Sequence, residues 1–250
     1  MRRGTVVITG GSRGIGAETV AMLAARGHDV VFCFREKERR AETVRARAAL
    51  GSPAVDVDAV RADITTAAGR RALARACAAR APLVAAVLNA AGGMEVQDPC
   101  YAELLNADAQ VAVLDALDGL FVPAATVVFP TSLQSHRYGR IEEFDSYRRV
   151  ARSKNRGERL VREHCAVAGR KSVVVVSDMV EGSPAALLMD MREPRAAEER
   201  REAARRTGVQ LPTTTDVARH LSAAVADGGP DTVFVSPVPP HNPIREREGA

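Results

Sequence analysis

TGGSRGIG, residues 9–16, lies between a short β-branched run, Thr5–Thr9, and an alanine-rich run over residues 15–26. The first run predicts a strand covered on both faces, and the second predicts a helix. Gly10, Gly14 and Gly16 fall at the junction. Glycine there lets the backbone turn sharply, approach a ligand closely and pack a helix tightly on a strand. The amides that begin a helix have no intrahelical partners and lie at the positive end of its dipole, so the junction predicts a phosphate site. A glycine-rich turn that binds nothing is the competing reading. The spacing is Gly-x-x-x-Gly-x-Gly, so the Gly-x-Gly-x-x-Gly fingerprint does not apply unmodified.

Outward from this turn, apolar runs alternate with helical ones. Strands are predicted over Asp29–Phe34, 57–62, Leu83–Leu88, 125–130, 171–176 and 232–235. Helices are predicted over 35–50, 67–80, 101–117, from 146 to about 168, and 216–226, with one or two rim helices between 183 and 208. A polar loop is expected from Thr131 to about Asp145. Such alternation predicts an α/β fold, a single-domain doubly wound parallel sheet of Rossmann type with helices on both faces. The domain is expected over residues 1–237, with a substrate lid at about 183–208 and a loose proline-rich tail at 238–250.

Composition narrows the function. A chain of 250 residues, 46% hydrophobic and 26% charged, has enough material for one sizeable core. The net charge of +4 comes from arginines interleaved with glutamates on helix faces, and aromatics are only 4%. Nucleic-acid binding is therefore not expected. No apolar run is long enough to span a bilayer, and no secretory signal is read at the start, so a cytoplasmic protein away from membranes is expected. Cys33, Cys77, Cys100 and Cys165 are widely separated and the histidines lack ligand spacing, so no metal site is expected.

The glycine turn, Asp63, Asn89-Ala90-Ala91-Gly92, Asn106, Ser132 and Lys154, in this order, resemble the short-chain dehydrogenase/reductase family over almost the whole chain. The resemblance implies that Gly10, Ser12, Arg13, Gly14, Ile15 and Gly16 hold the cofactor. It places Asp63, with Ile64, at the adenine, although Asp63 near Thr65 also reads as a local cap. Asn89, Ala90, Ala91 and Gly92 would let backbone approach the adenosine ribose, with Ala90 replacing a second asparagine. Strand two ends in Cys33-Phe34-Arg35 without a carboxylate for the ribose 2′-hydroxyl. Arg35 and Arg13 could clamp a 2′-phosphate, so NADP(H) is the expected cofactor.

The catalytic helix departs from the family. The usual motif is Tyr-x-x-x-Lys, yet four residues before Lys154 stands Val150. Tyr147 lies two turns before Lys154, on the same helical face and about 10 Å away along the axis. The spacing Tyr-x6-Lys resembles the enoyl-thioester reductase branch. There Tyr147 would meet the substrate carbonyl oxygen while Lys154 holds the cofactor ribose and favours the deprotonated tyrosine. Ser132 would bind the carbonyl, with Thr131 or Ser135 able to substitute. Asn106 would hold a relay water, or merely satisfy helix backbone. After strand six, Asp178-Met179 replaces the family's Pro-Gly; Val180 would offer backbone to the carboxamide and Ser183 a contact to the pyrophosphate.

The expected activity is NADPH-dependent reduction of the C=C bond of an α,β-unsaturated thioester or enone. The alternatives are a carbonyl (3-oxoacyl-type) reductase and a dinucleotide-binding protein without redox activity. The resemblance also implies a homodimer or homotetramer.

Overall fold

A computed structural model describes residues 4–141, 144–227 and 229–235. Seven parallel strands form one sheet in the order β3-β2-β1-β4-β5-β6-β7: Thr5–Thr9, Asp29–Phe34, Val57–Arg61, Leu83–Leu88, Phe121–Ser132, Lys171–Ser177 and Thr232–Phe234 for β1 to β7. Alternate residues of each strand face opposite sides, so the apolar runs supply two cores. Val6, Ile8, Val30, Phe32, Val173 and Val175 pack on α1 (Gly14–Ala25), α2 (Glu38–Gly51) and the last helix, Thr214–Asp227. Val7, Val31, Leu88, Val174 and Val176 face α3 (Ala67–Ala78) and the helices that follow β4 and β5.

The strand order reverses between β1 and β4. In an open parallel sheet the crevice outside the carboxyl ends at such a switch is where ligands bind. The ends of β1, β2, β4, β5 and β6 deliver Gly10, Arg35, Asn89, Ser132 and Asp178 to that crevice.

Several elements differ from expectation. The second helix begins at Glu38, which leaves Arg35 in the loop after β2. The segment 101–117 is not one regular helix. It runs as α4 (Tyr101–Glu103), a π-helical turn (Leu104–Asp108) and α5 (Ala109–Leu117). The Gln110 side chain donates to the Leu105 carbonyl at 2.7 Å and to that of Ala90 at 2.8 Å, tying the π-turn to the loop after β4.

The fifth strand starts at Phe121 and includes Ser132, whose hydroxyl then caps α6 (Leu133–His136). Next come α7 (Arg148–Val167), the rim helices α8 (Pro184–Arg192) and α9 (Pro194–Arg206), and α10 (Thr214–Asp227). The expected tail at 238–250 lies outside the described residues. No helix among the described residues is long and apolar enough to cross a membrane.

Candidate active site

The floor of the crevice is the glycine turn. Gly10 (φ +70°) and Gly14 (φ +52°) adopt left-handed backbone that side-chain-bearing residues rarely take. Asn89 Nδ2 donates to the Gly10 carbonyl at 3.1 Å, and the Ala90 amide donates to Thr9 Oγ1 at 3.0 Å, so β1 and β4 hold the turn together. A Cβ on Gly16 would lie 2.2 Å from the Gly10 oxygen. Gly16 is not among the residues that line the cavity, and its lack of a side chain permits close packing of α1 on the loop. Arg13 at the N-cap of α1 is extended and makes no side-chain cap. The turn therefore combines close-approach glycines with an uncapped helix start, a combination that fits a diphosphate.

The cavity above it measures about 700 Å³. Apart from Gly16, every residue expected to touch the cofactor lines it, including Ser12, Ile15, Ile64, Ala91, Gly92 and Val180. Two also hold local bonds. Asp63 Oδ1 accepts from the Thr65 amide at 2.9 Å and hydroxyl at 2.7 Å, so the capping reading is satisfied alongside the cavity position. Ser183 caps α8 by accepting from the Ala186 amide at 3.1 Å.

At the far end of β2, Arg35 donates to the Tyr101 hydroxyl and pairs with Glu36 at 3.0 Å. Arg13 lines the same end. Lys37 and Arg40, which sequence reasoning passed over as part of a charged helix, join it.

The opposite end gathers Ser132, Tyr147 and Lys154. Tyr147 is the N-cap of α7 rather than a residue within it, and its carbonyl accepts the first helical bond, from Ala151 at 2.8 Å. Its buried phenol is set near enough to the Ser132 and Ser135 hydroxyls for both to influence its ionisation, and those hydroxyls lie 2.7 Å from each other. Burial pushes the phenol's ionisation above its ordinary range, with the two serines opposing. Lys154, expected to draw Tyr147 towards its deprotonated form, is not among the influences on the phenol, of which desolvation is the largest.

Burial brings the Lys154 ammonium down to about 8, against a partial opposing pull from Glu158. Glu158 in turn lies 2.9 Å from His136 Nδ1 and 3.3 Å from Arg162. Val150 lines the cavity at the family's usual tyrosine position.

Asn106 is placed differently from expectation. It is buried in the π-turn, where its side chain exchanges bonds with both backbone groups of Gly92 (3.1 and 2.9 Å) and donates to Ser153 at 2.9 Å. Its side-chain amide is engaged in holding the loop after β4.

A buried ion pair at Asp178 was not legible beforehand. Arg200 of α9 donates through Nε to Asp178 Oδ1 at 3.0 Å, and a second bond joins its Nη2 to Oδ2. Both side chains are nearly inaccessible, at 8% and 7%. The residue that replaces the family's proline therefore fastens the rim to the end of β6. Among the described residues no group of three or more metal-ligating side chains is arranged to hold an ion.

The Lys154 position has a measurable consequence. Its charged form predominates below about pH 8 and is lost as pH rises through that value. If the charge assists turnover, the pH profile of kcat/KM falls on its alkaline side near 8, and Lys154→Arg, which stays charged, removes that limb. A profile flat to pH 10 in the wild type would contradict this.

A doubly wound sheet, a glycine cradle at its switch point and a Ser–Tyr–Lys cluster beside it define a dinucleotide-binding α/β protein. The sequence pattern described as short chain dehydrogenase matches residues 4–143, more than half of the chain, and this protein belongs to that family. No curated protein matches the sequence. Solved structures share the fold. One is a levodione reductase (TM-score 0.78, 15% identity, covering 94% of this chain and 97% of that one). Another is the angucycline C-6 ketoreductase LanV with bound NADP (0.73, 16%, 94% and 94%). A third, from Pseudomonas aeruginosa PAO1, is a short-chain oxidoreductase described as containing an atypical catalytic center (0.72, 21%, 93% and 95%).

Proposed function

We propose that this protein is an NADPH-dependent carbonyl reductase acting on an apolar ketone. The observation that carries the reading is the buried Tyr147 phenol, its ionisation pushed up by burial, beside Ser132 and Ser135 in the cavity that also holds the glycine turn. NADPH, when bound, supplies the hydride. Ser132 and Ser135 orient the Tyr147 hydroxyl towards the carbonyl oxygen, where negative charge develops and where the phenol donates its proton. Lys154, charged in the same cavity, offsets the phenolate that remains until solvent restores the proton. Arg13, Arg35, Lys37 and Arg40 at the adenosine end favour a 2′-phosphate over a free hydroxyl, even with Glu36 beside Arg35.

Two considerations favour C=O over C=C reduction. The named reductions in similar structures, for LanV and levodione reductase, are those of ketoreductase-type proteins. The substrate side is lined by Met94, Phe144, Val150, Met179, Leu188 and Met189, an apolar surface suited to a compact hydrophobic ketone. Tyr-x6-Lys spacing keeps enoyl reduction as the second reading.

The test is NADPH oxidation, with NADH in parallel, on a cyclic apolar ketone and its α,β-unsaturated counterpart, with product analysis. The expected result is an alcohol, formed with a preference for NADPH. A saturated ketone as the sole product would move the assignment to enoyl reduction. Tight NADPH binding with neither compound consumed would favour the non-redox alternative.

A further inference from the structure

In this chain the proton donor precedes the helix that usually carries it, so something else has to hold it. The turn that presents Tyr147 begins at Phe144, whose carbonyl accepts from the Tyr147 and Arg148 amides, both at 2.9 Å. The next two amides, of Asp145 and Ser146, lie in this turn, ahead of the helix N-cap. Both are taken by one carboxylate from a distant segment. Glu193 Oε2 accepts from the Asp145 amide at 3.1 Å, and Oε1 accepts from the Ser146 amide at 2.7 Å.

Glu193 is the residue between α8 and α9. Its own amide donates to the Met189 carbonyl at 2.7 Å, closing α8. A carboxylate on the two amides just ahead of a helix makes charge-assisted hydrogen bonds. Phe144, Tyr147, Val150, Ala186 and Met189 pack in one apolar cluster, so the rim helix and the turn share both a polar tie and a packed face. Arg192, one residue earlier, donates to the Met94 carbonyl at 2.6 Å, which fixes the same junction to the loop after β4.

We propose that Glu193 is a positioning residue, through which the α8–α9 rim holds the Tyr147 hydroxyl in register with Ser132 and Ser135. The inference rests on Tyr147 being the proton donor, and it makes the rim a part of the catalytic geometry as well as a cover. With the carboxylate gone, the 144–147 turn loses two charge-assisted bonds and the phenol loses its fixed approach to the serines.

The chain has three tyrosines and no tryptophan, so the ultraviolet absorbance of phenolate can be followed without interference from indole. Apo wild type, Glu193→Ala and Glu193→Gln would be titrated, with Tyr147→Phe identifying the Tyr147 component. In Glu193→Ala the late-ionising Tyr147 component is expected to ionise later still, because the serines that oppose burial lose their register with the phenol while the ring stays packed. Its kcat is expected to fall about tenfold, the cost of charge-assisted bonds, with NADPH affinity unchanged. Glu193→Gln, which keeps one acceptor oxygen, should recover part of both. An unchanged Tyr147 titration in Glu193→Ala overturns the inference, whether or not stability or cofactor affinity falls. Because the titration needs no substrate, a shifted titration in a protein whose Tyr147→Phe variant stays active would sink the proton-donor reading while leaving the Glu193 tie in place.

Discussion

Tyr147→Phe is expected to lower turnover by about 10²–10⁴-fold, the usual contribution of a positioned proton donor. NADPH binding should be untouched, since the glycine turn and the basic end of the cavity lie away from the phenol. The substitution removes one oxygen and keeps the ring, which packs with Phe144, Val150 and Met189, so the fold should persist. Ser132 and Ser135 remain bonded to each other at 2.7 Å and are not left as buried orphans. The loss would therefore appear in kcat with KM for NADPH unchanged, measured by initial rates and by cofactor fluorescence titration. Retention of more than half the wild-type kcat would exclude Tyr147 as the donor.

The second large effect is expected at Gly157, in the middle of α7. A Cβ there would stand 2.0 Å from the Asn106 carbonyl oxygen and 3.2 Å from the Ala107 Cα. Both neighbours are backbone of the π-turn, which cannot swing aside as a side chain could. Gly157→Ala should therefore destabilise by about 2–3 kcal/mol through overpacking, despite alanine's better helix propensity. For a chain of this size that lowers Tm by roughly 5–10 °C. Gly51→Ala is the control: it also lies in a helix, and an added methyl there meets nothing within 4 Å. Equal melting temperatures for the two variants would show that α7 and the π-turn can separate at little cost. A shifted α7 also carries Lys154 with it, so activity at a permissive temperature should fall alongside stability.

The parts of the fold that could be read beforehand are those set by local pattern. Asp29–Phe34 and Leu83–Leu88 are continuous apolar runs bounded by turn residues, and their predicted limits coincide with β2 and β4. The glycine turn was legible for the same reason, since four glycines within seven residues between a strand and a helix have few other uses. Spacing alone cannot separate a glycine that faces a cofactor from one, such as Gly16, packed against a carbonyl. The π-turn at 104–108 escaped because it depends on Gln110 reaching back to Leu105 and across to Ala90. Asp178 was visible as a departure, but its partner Arg200 lies on another element. Glu193 gave no signal at all, because its acceptors serve amides 47 and 48 residues away. Asn106 matched the family position, yet the match could not say where its amide would point.

The rim is fastened unevenly. Arg200 joins α9 to Asp178, and Arg201 bonds Glu181 at 2.8 Å and Asp190 at 2.7 Å. Leu187 and Met191, by contrast, show 57% and 80% of their surface to solvent on α8. Breaking a buried ion pair by removing one partner is strongly destabilising, whereas changes at exposed apolar positions are cheap. For laboratory evolution of substrate preference, α9 is the chassis to leave alone. The open side of α8 is where a library tolerates diversity, with the Glu193 junction kept constant so that altered specificity is not confounded with a displaced tyrosine.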